Sequence, residues 1–252
     1  MSKSCLLCPI GTTPMVVTEL YSYLRKTEPN LRDIIIFHTS DRNVVSGSKV
    51  AVAALLDHYE DARVQLVDIE VDDFNDQNDI ESFLDKVVKT MAKERDEFKV
   101  TDFILNVSGG RKIQTIVLSL YAGILGISEV YNVIDHNFQS FNEYLELIRT
   151  DVDKFANLTS LDEIKEEYAK KSDDYDSLFY PDFNAVTFIR VPVIQMPVDE
   201  KHILKKIIRG VPLEDEDVNE VKLKAYQKSG LITYDRSRTY GTDLGKILLS
   251  YI

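Results

Sequence analysis

Strand-length apolar runs alternate with helix-length segments through the first half of the chain, and this rhythm restricts the fold more than any other feature. SCLLCPI, DIIIFHT (Asp33 to Thr39), VQLVDIEV (Val64 to Val71), DFILNV (Asp102 to Val107) and Glu129 to Ile134 read as five strands. Between them Met15 to Arg25, Val44 to His58, Asp79 to Arg95 and Ile113 to Leu125 carry helical spacing. The last is apolar nearly all round, which predicts a buried helix. Glu143 to Arg149 reads as a sixth strand. Such alternation predicts an α/β fold, a doubly wound, Rossmann-like parallel sheet. Ligands of these sheets sit beyond the carboxyl ends of the strands, beside helix N-termini.

Three polar turns fall at such ends: GTTP (Gly11 to Pro14), SDRN (Ser40 to Asn43) and SGGRK (Ser108 to Lys112). In SGGRK, Gly109 and Gly110 let the backbone approach a ligand and leave amides free at a helix start, with Arg111 and Lys112 as fixed cations. A plain strand-to-helix turn with surface cations remains the alternative reading. Thr12 and Thr13 can hydrogen-bond a phosphate or cap a helix; Ser40 and Asp41 are also caps, with Arg42 and Asn43 as phosphate or base contacts. The chain has neither a Walker A loop nor a G-x-G-x-x-G fingerprint, so ATPase and dinucleotide-dehydrogenase readings lose their best support.

A net charge of -12 argues against generic binding of long nucleic acid. An anionic ligand then requires a local cluster of cations. Cys5 and Cys8 form a C-x-x-C inside a strand, where residues three apart face opposite ways, so they read as two buried small hydrophobes. His38, His58, His136 and His202 show no metal-ligand spacing, and no metal or cofactor is expected. No apolar run reaches membrane-spanning length, and the N-terminus is not a secretory signal, so a cytoplasmic protein is expected.

GTTP, TSDRN and SGGRK match, in kind and order, the turns of the CARF (CRISPR-associated Rossmann-fold) domains, which the sequence resembles over roughly Ser4 to Thr150. The resemblance implies a homodimer that binds a cyclic oligoadenylate, usually the tetra-adenylate, with Gly11, Ser40, Asp41, Arg42, Asn43, Ser108, Gly109, Gly110 and His136 as ligand contacts. It also implies a ring nuclease that switches off type III CRISPR signalling. In that reading Thr12, Thr13, Arg111 and Lys112 are catalytic and no metal takes part. A lysine from beyond the core, Lys170 or Lys171, is a weaker expectation. Arg32 to His38 fits the R-x(4-6)-H spacing of HEPN ribonucleases only formally, since it lies along a strand.

Residues 1–155 are thus expected to form the ligand-binding domain and 156–197 a connector. That connector carries a polar helical stretch near Ser160 to Asp176, and Asn184 to Met196 reads as a strand interrupted by Pro192. Residues 198–252 resemble a winged helix, a small α+β unit with helices near DEKHILKKII and Leu213 to Ser229. A hairpin in GLITYDRSRTYG and a last helix capped by Thr242 complete it. Arg236 and Arg238 form a basic wing. Glu214, Asp215, Glu216, Asp217 and Glu220, however, open the helix that would meet DNA phosphates, so DNA reading is disfavoured. A ligand-responsive transcription regulator and a non-cleaving binding protein are the alternatives.

Overall fold

In a computed structural model, residues 3–211, 218–235 and 238–249 are described. Five strands alternate with four helices: β1 (Ser4–Pro9), α1 (Met15–Arg25), β2 (Asp33–His38), α2 (Arg42–His58), β3 (Arg63–Asp68), α3 (Gln77–Phe98), β4 (Asp102–Asn106), α4 (Lys112–Leu125) and β5 (Ile127–Asp135). The chain continues through α5 (Phe138–Leu147), α6 (Arg149–Val152), a 3-10 turn (Asp153–Asn157), α7 (Leu161–Ala169) and α8 (Ser172–Phe179) before β6 (Val186–Val191). After it come α9 (Val198–Ile208), α10 (Glu220–Lys228), the hairpin β7 (Ile232–Asp235) and β8 (Arg238–Gly241), and α11 (Asp243–Leu249).

The main sheet runs β3-β2-β1-β4-β5-β6, parallel except for β6, which pairs antiparallel with β5. This is the Rossmann-like α/β sheet expected from the alternation. Central strands β1, β2 and β4 are buried almost throughout, whereas β6 is largely exposed. Alternate residues of β1 feed opposite cores, as the period of two requires. Leu6 and Cys8 pack with α1, α2 and α8, while Cys5 and Leu7 pack with α3 and α4. Both cysteines are buried and free, and burial raises both thiols far above their ordinary value. The C-x-x-C is a packing element.

Two expectations fail. Glu143 to Arg149 is not a strand: its residues lie in α5 and at the start of α6. Phe141, Tyr144, Leu145 and Ile148 recur at helical spacing and turn inward together, which a period-two strand would not allow. The sixth strand comes from Val186–Val191, within the stretch read as Asn184 to Met196. Nor is α4 buried all round, because Ile116 and Leu120 are 44% and 71% exposed. This largely apolar helix therefore keeps Ile116 and Leu120 uncovered.

The C-terminal elements pack on the α3/α4 side, where Leu204, Ile207, Leu248 and Leu249 join the core that holds Phe83 and Leu118. Thr242 caps α11 as expected: its hydroxyl accepts from the Gly245 amide at 3.0 Å. The helix read as Leu213 to Ser229 is present as Glu220–Lys228. Glu214, Asp215, Glu216, Asp217 and the wing residue Arg236 lie outside the described residues. Between β6 and α9 the chain crosses α4 so closely that a Cβ on Gly123 would sit 2.0 Å from the Ile194 carbonyl oxygen. Gly123→Ala is expected to push this crossing off α4 and lower stability by about 1–3 kcal/mol, read by denaturant unfolding.

Candidate functional site

In this strand order the chain reverses direction of sheet growth between β1 and β4, so the turns after these two strands flank the crevice. They are GTTP and SGGRK, and they touch. A Cβ on Gly11 would stand 3.3 Å from the Gly110 nitrogen, and one on Gly109 only 2.7 Å from the Pro9 carbonyl oxygen. Gly110 adopts φ +84, a left-handed conformation that favours glycine. The paired glycines are needed for this approach of backbone to backbone.

Asn106, the last residue of β4, fastens the junction. Its side-chain amide is fully buried, donates to the Val16 carbonyl at 2.8 Å and accepts from the Ser108 amide at 2.9 Å. The Ser108 hydroxyl accepts in turn from the Val133 amide on β5 at 2.5 Å. Ser108 thus holds the turn to the sheet.

Three helix N-termini point to this edge, and they are treated differently. At α2 the Asp41 carboxylate accepts from the amides of Asn43 and Val44 at 2.9 and 3.2 Å, which satisfies that terminus internally. The Ser40 hydroxyl donates to Asp68 at 3.0 Å. At α1 and α4 no side chain caps the helix, and neither first turn holds an acid. Thr12 and Thr13 flank the α1 start without capping it. At α4 the Gln114 side chain accepts from the Arg111 amide at 2.7 Å. Two positive helix ends therefore face the crevice with amides left over for an anion.

The cations also divide. Arg111 Nε stands 3.1 Å from Asp73 Oδ1, on the β3–α3 connection. Lys112 and Arg42 are exposed and form no ion pair among the described residues. An exposed pair such as Arg111–Asp73 is worth about 0–1 kcal/mol, so an arriving phosphate competes with it on favourable terms. His136 follows β5 and is exposed, with Nε2 2.9 Å from the Thr187 hydroxyl. Lys170 is held in an ion pair with Glu167 on the connector, and Lys171 in one with Asp151 of α6. Asp57, His58 and Asp176 bring ligand atoms within 4.8 Å of one another on α2 and α8, where His58 pairs with Asp176 and stacks on Tyr180.

Asn106, Asp73 and Gln114 carry roles that the motif reading did not assign, and so does a further group. Behind Thr13 and Ser108 lies a cavity of about 180 Å³ walled by Met15, Val16, Val133 and Phe141 and containing Glu19 and Asp135. Glu19 is 1% exposed; neither carboxyl oxygen accepts from an N–H or hydroxyl, and the carboxyl hydrogen-bonds the facing Asp135. Burial, reinforced by the facing Asp135, pushes its carboxyl up to about 8. The legible signal was an acid at position 19 on the same helical face as Met15, Val16 and Leu20.

The strand order defines a Rossmann-like α/β protein, with its paired turns at the carboxyl edge between β1 and β4. Residues 13–224 match the family described as CRISPR-associated protein NE0113 (Cas_NE0113), and the chain belongs to that CRISPR-associated, CARF-type family. A search of curated proteins gives no match. Among solved structures, Enterococcus italicus Csm6 bound to cyclic hexa-2'-fluoro-hexa-dAMP is 13% identical, with a TM-score of 0.41, over 100% of this chain and 75% of that one. At that score the fold assignment rests on the sheet itself. No helix among the described residues is long and apolar enough to cross a membrane.

Glu19 makes stability depend on pH. Its folded value lies above the ordinary 4.5, so between the two the folded chain binds more protons than the unfolded one. The contribution is complete below the unfolded value and is lost as pH rises through about 8. We expect the unfolding free energy to fall across this window by at most about 1.4 kcal/mol per pH unit, seen as a falling melting temperature. Glu19→Gln should remove that slope in melts at several pH values.

Proposed function

We propose that the protein binds a cyclic oligoadenylate, the tetra-adenylate foremost, across the paired turns of a homodimer and cleaves it there. The observation that carries the reading is the Gly11–Gly110 contact. It brings two helix N-termini that lack a side-chain cap together with Thr12, Thr13 and Lys112 in a chain that is otherwise strongly acidic. A two-fold axis would double this set around a ring with its own symmetry. The exposed apolar side of α4, Ile116 and Leu120, supports a second copy as the covering partner.

The chemistry needs no group beyond the ring and the chain. A ribose 2′-hydroxyl, held in line, loses its proton and attacks the adjacent phosphorus. The bond to the 5′-oxygen breaks, and that oxygen takes up a proton. Two such events give linear di-adenylates that end in 2′,3′-cyclic phosphate. Positioning supplies much of the rate. Thr12 and Thr13 orient the phosphate, while Lys112, Arg111 and the α4 amides stabilise its growing charge. Gly109, Gly110 and Ser108 shape the seat, and Arg42, Asn43 and His136 contact the ring further out. Ser40 and Asp41 act through the α2 terminus that they hold.

Incubation of excess protein with cyclic tetra-adenylate in EDTA, followed by chromatography, should convert the ring to di-adenylate. Lys112→Ala should retain binding and lose about 10²–10³-fold in single-turnover rate. An intact ring after hours would eliminate the cleavage step. For the dimer, Leu120→Asp should shift the protein to monomer in sedimentation, since it sets a charge against an apolar patch. An unchanged sedimentation coefficient would remove α4 from the interface.

A further inference from the structure

Glu19 is the least expected side chain in the molecule: an acid on the buried face of α1 that lines a small cavity beside the two glycine turns, where neither oxygen accepts from an N–H or hydroxyl and the carboxyl meets Asp135. A buried carboxyl pair that shares one proton leaves lone pairs over, and unsatisfied buried polar atoms are rare in folded proteins. The cavity opens at the carboxyl ends of β1, β4 and β5, on the edge where the uncapped helices lie. At about 180 Å³ it is below the roughly 300–1,000 Å³ that holds a whole drug-sized ligand, so it suits one flat ring system. Val16, Val133 and Phe141 supply apolar walls for such a ring, and Glu19 with Asp135 supplies polar atoms at one side.

We infer that Glu19, as a neutral carboxylic acid, and Asp135 form a specificity-determining pair that reads the amino edge of one adenine of the ring. The inference rests on the ring-binding reading above and adds to it the device that selects the base. A protonated Glu19 offers one O–H donor and one carbonyl acceptor, and Asp135 offers further acceptors. An adenine edge needs this balance: a ring nitrogen accepts the single proton, and the exocyclic amino group donates two. A 6-oxo purine takes the Glu19 proton on its oxygen and returns only one N–H where the adenine amino group donates two, so one carboxyl acceptor of the pair is left without a partner. The pair is thus biased against hypoxanthine.

The surroundings leave Glu19 its proton. Asp135, on β5, is the titratable group that faces it. The β1–α1 and β4–α4 turns bring the Thr13 and Ser108 hydroxyls, and α5 brings Phe141. On α2, Lys49 is engaged by the Ala156 and Leu158 carbonyls; on α8, Asp176 is engaged by Tyr168 and His58.

The test is calorimetric titration of the full chain with cyclic tetra-adenylate, and with the same ring carrying hypoxanthine in place of adenine, from about pH 6.5 to about pH 9.5. Wild type should bind the adenine ring about tenfold more weakly at the alkaline end and the hypoxanthine ring weakly throughout. Glu19→Gln keeps one donor and one acceptor, and should bind the adenine ring equally well at every pH. Glu19→Leu should lose about tenfold at neutral pH while melting at or above the wild-type temperature. Wild-type binding that ignores pH, with Glu19→Leu binding as wild type does, would overturn this inference and leave the ring-binding reading standing. So would affinity that rises with pH and requires a divalent cation, which would make the pair a cation site. Absence of wild-type binding at any pH would instead overturn the ring-binding reading, and this inference with it.

Discussion

The buried amide of Asn106 is the joint on which the site depends. It ends β4, reaches across to the first turn of α1 through the Val16 carbonyl, and turns back to receive the Ser108 amide. A side-chain amide offers a donor and an acceptor on separate atoms without charge, so it can bridge two backbone groups at once. These two bonds fix where α1 begins relative to the β4–α4 turn. The glycines can then close to backbone contact only because that spacing is held. Removal of one partner would leave buried backbone groups unsatisfied, the costly half of the hydrogen-bond asymmetry.

Around that joint the chain concentrates positive potential against its own net charge of -12. It does so chiefly with helix ends, through the choice of which termini receive an acid. Asp41 neutralises α2, and Asp76 accepts from Asn78 and Asp79 at the start of α3. The starts of α1 and α4 receive none. Asp73 holds Arg111 through an exposed pair that screens readily, so the cation is positioned without being withdrawn. Glu19 represents the opposite extreme. Burial and the facing Asp135 push its carboxyl up to about 8, which favours the neutral form of the acid buried behind the turns.

The three turns were legible because each combines a strand end, a helix start and residues chosen for backbone freedom or polarity, all within a few positions of one another. The contact of GTTP with SGGRK followed once β1 and β4 were neighbours. The misreadings share one cause. EYLELIR offers apolar residues that satisfy a strand and a helix about equally over so short a window, and only the inward turn of Phe141 and Leu145 decides for the helix. Ile113 to Leu125 is largely apolar, and hydrophobicity by itself does not say whether the cover comes from the same chain. Likewise Asp73, Asn106 and Asp135 are ordinary polar residues in sequence. They acquire roles only from partners that lie far along the chain.

By itself the sequence determined the alternation of strands and helices, the placement of GTTP, SDRN and SGGRK at strand ends, and the glycines that permit close approach. These are local properties, dictated by side-chain periodicity and backbone sterics within a dozen residues. Only the tertiary structure decided that β6 and not the segment after β5 closes the sheet, that α4 keeps Ile116 and Leu120 bare, and that Glu19 meets Asp135 in a cavity. Each of those depends on which distant groups exclude water from a given side chain. Desolvation is a property of the assembled neighbourhood, and no single stretch of chain encodes it.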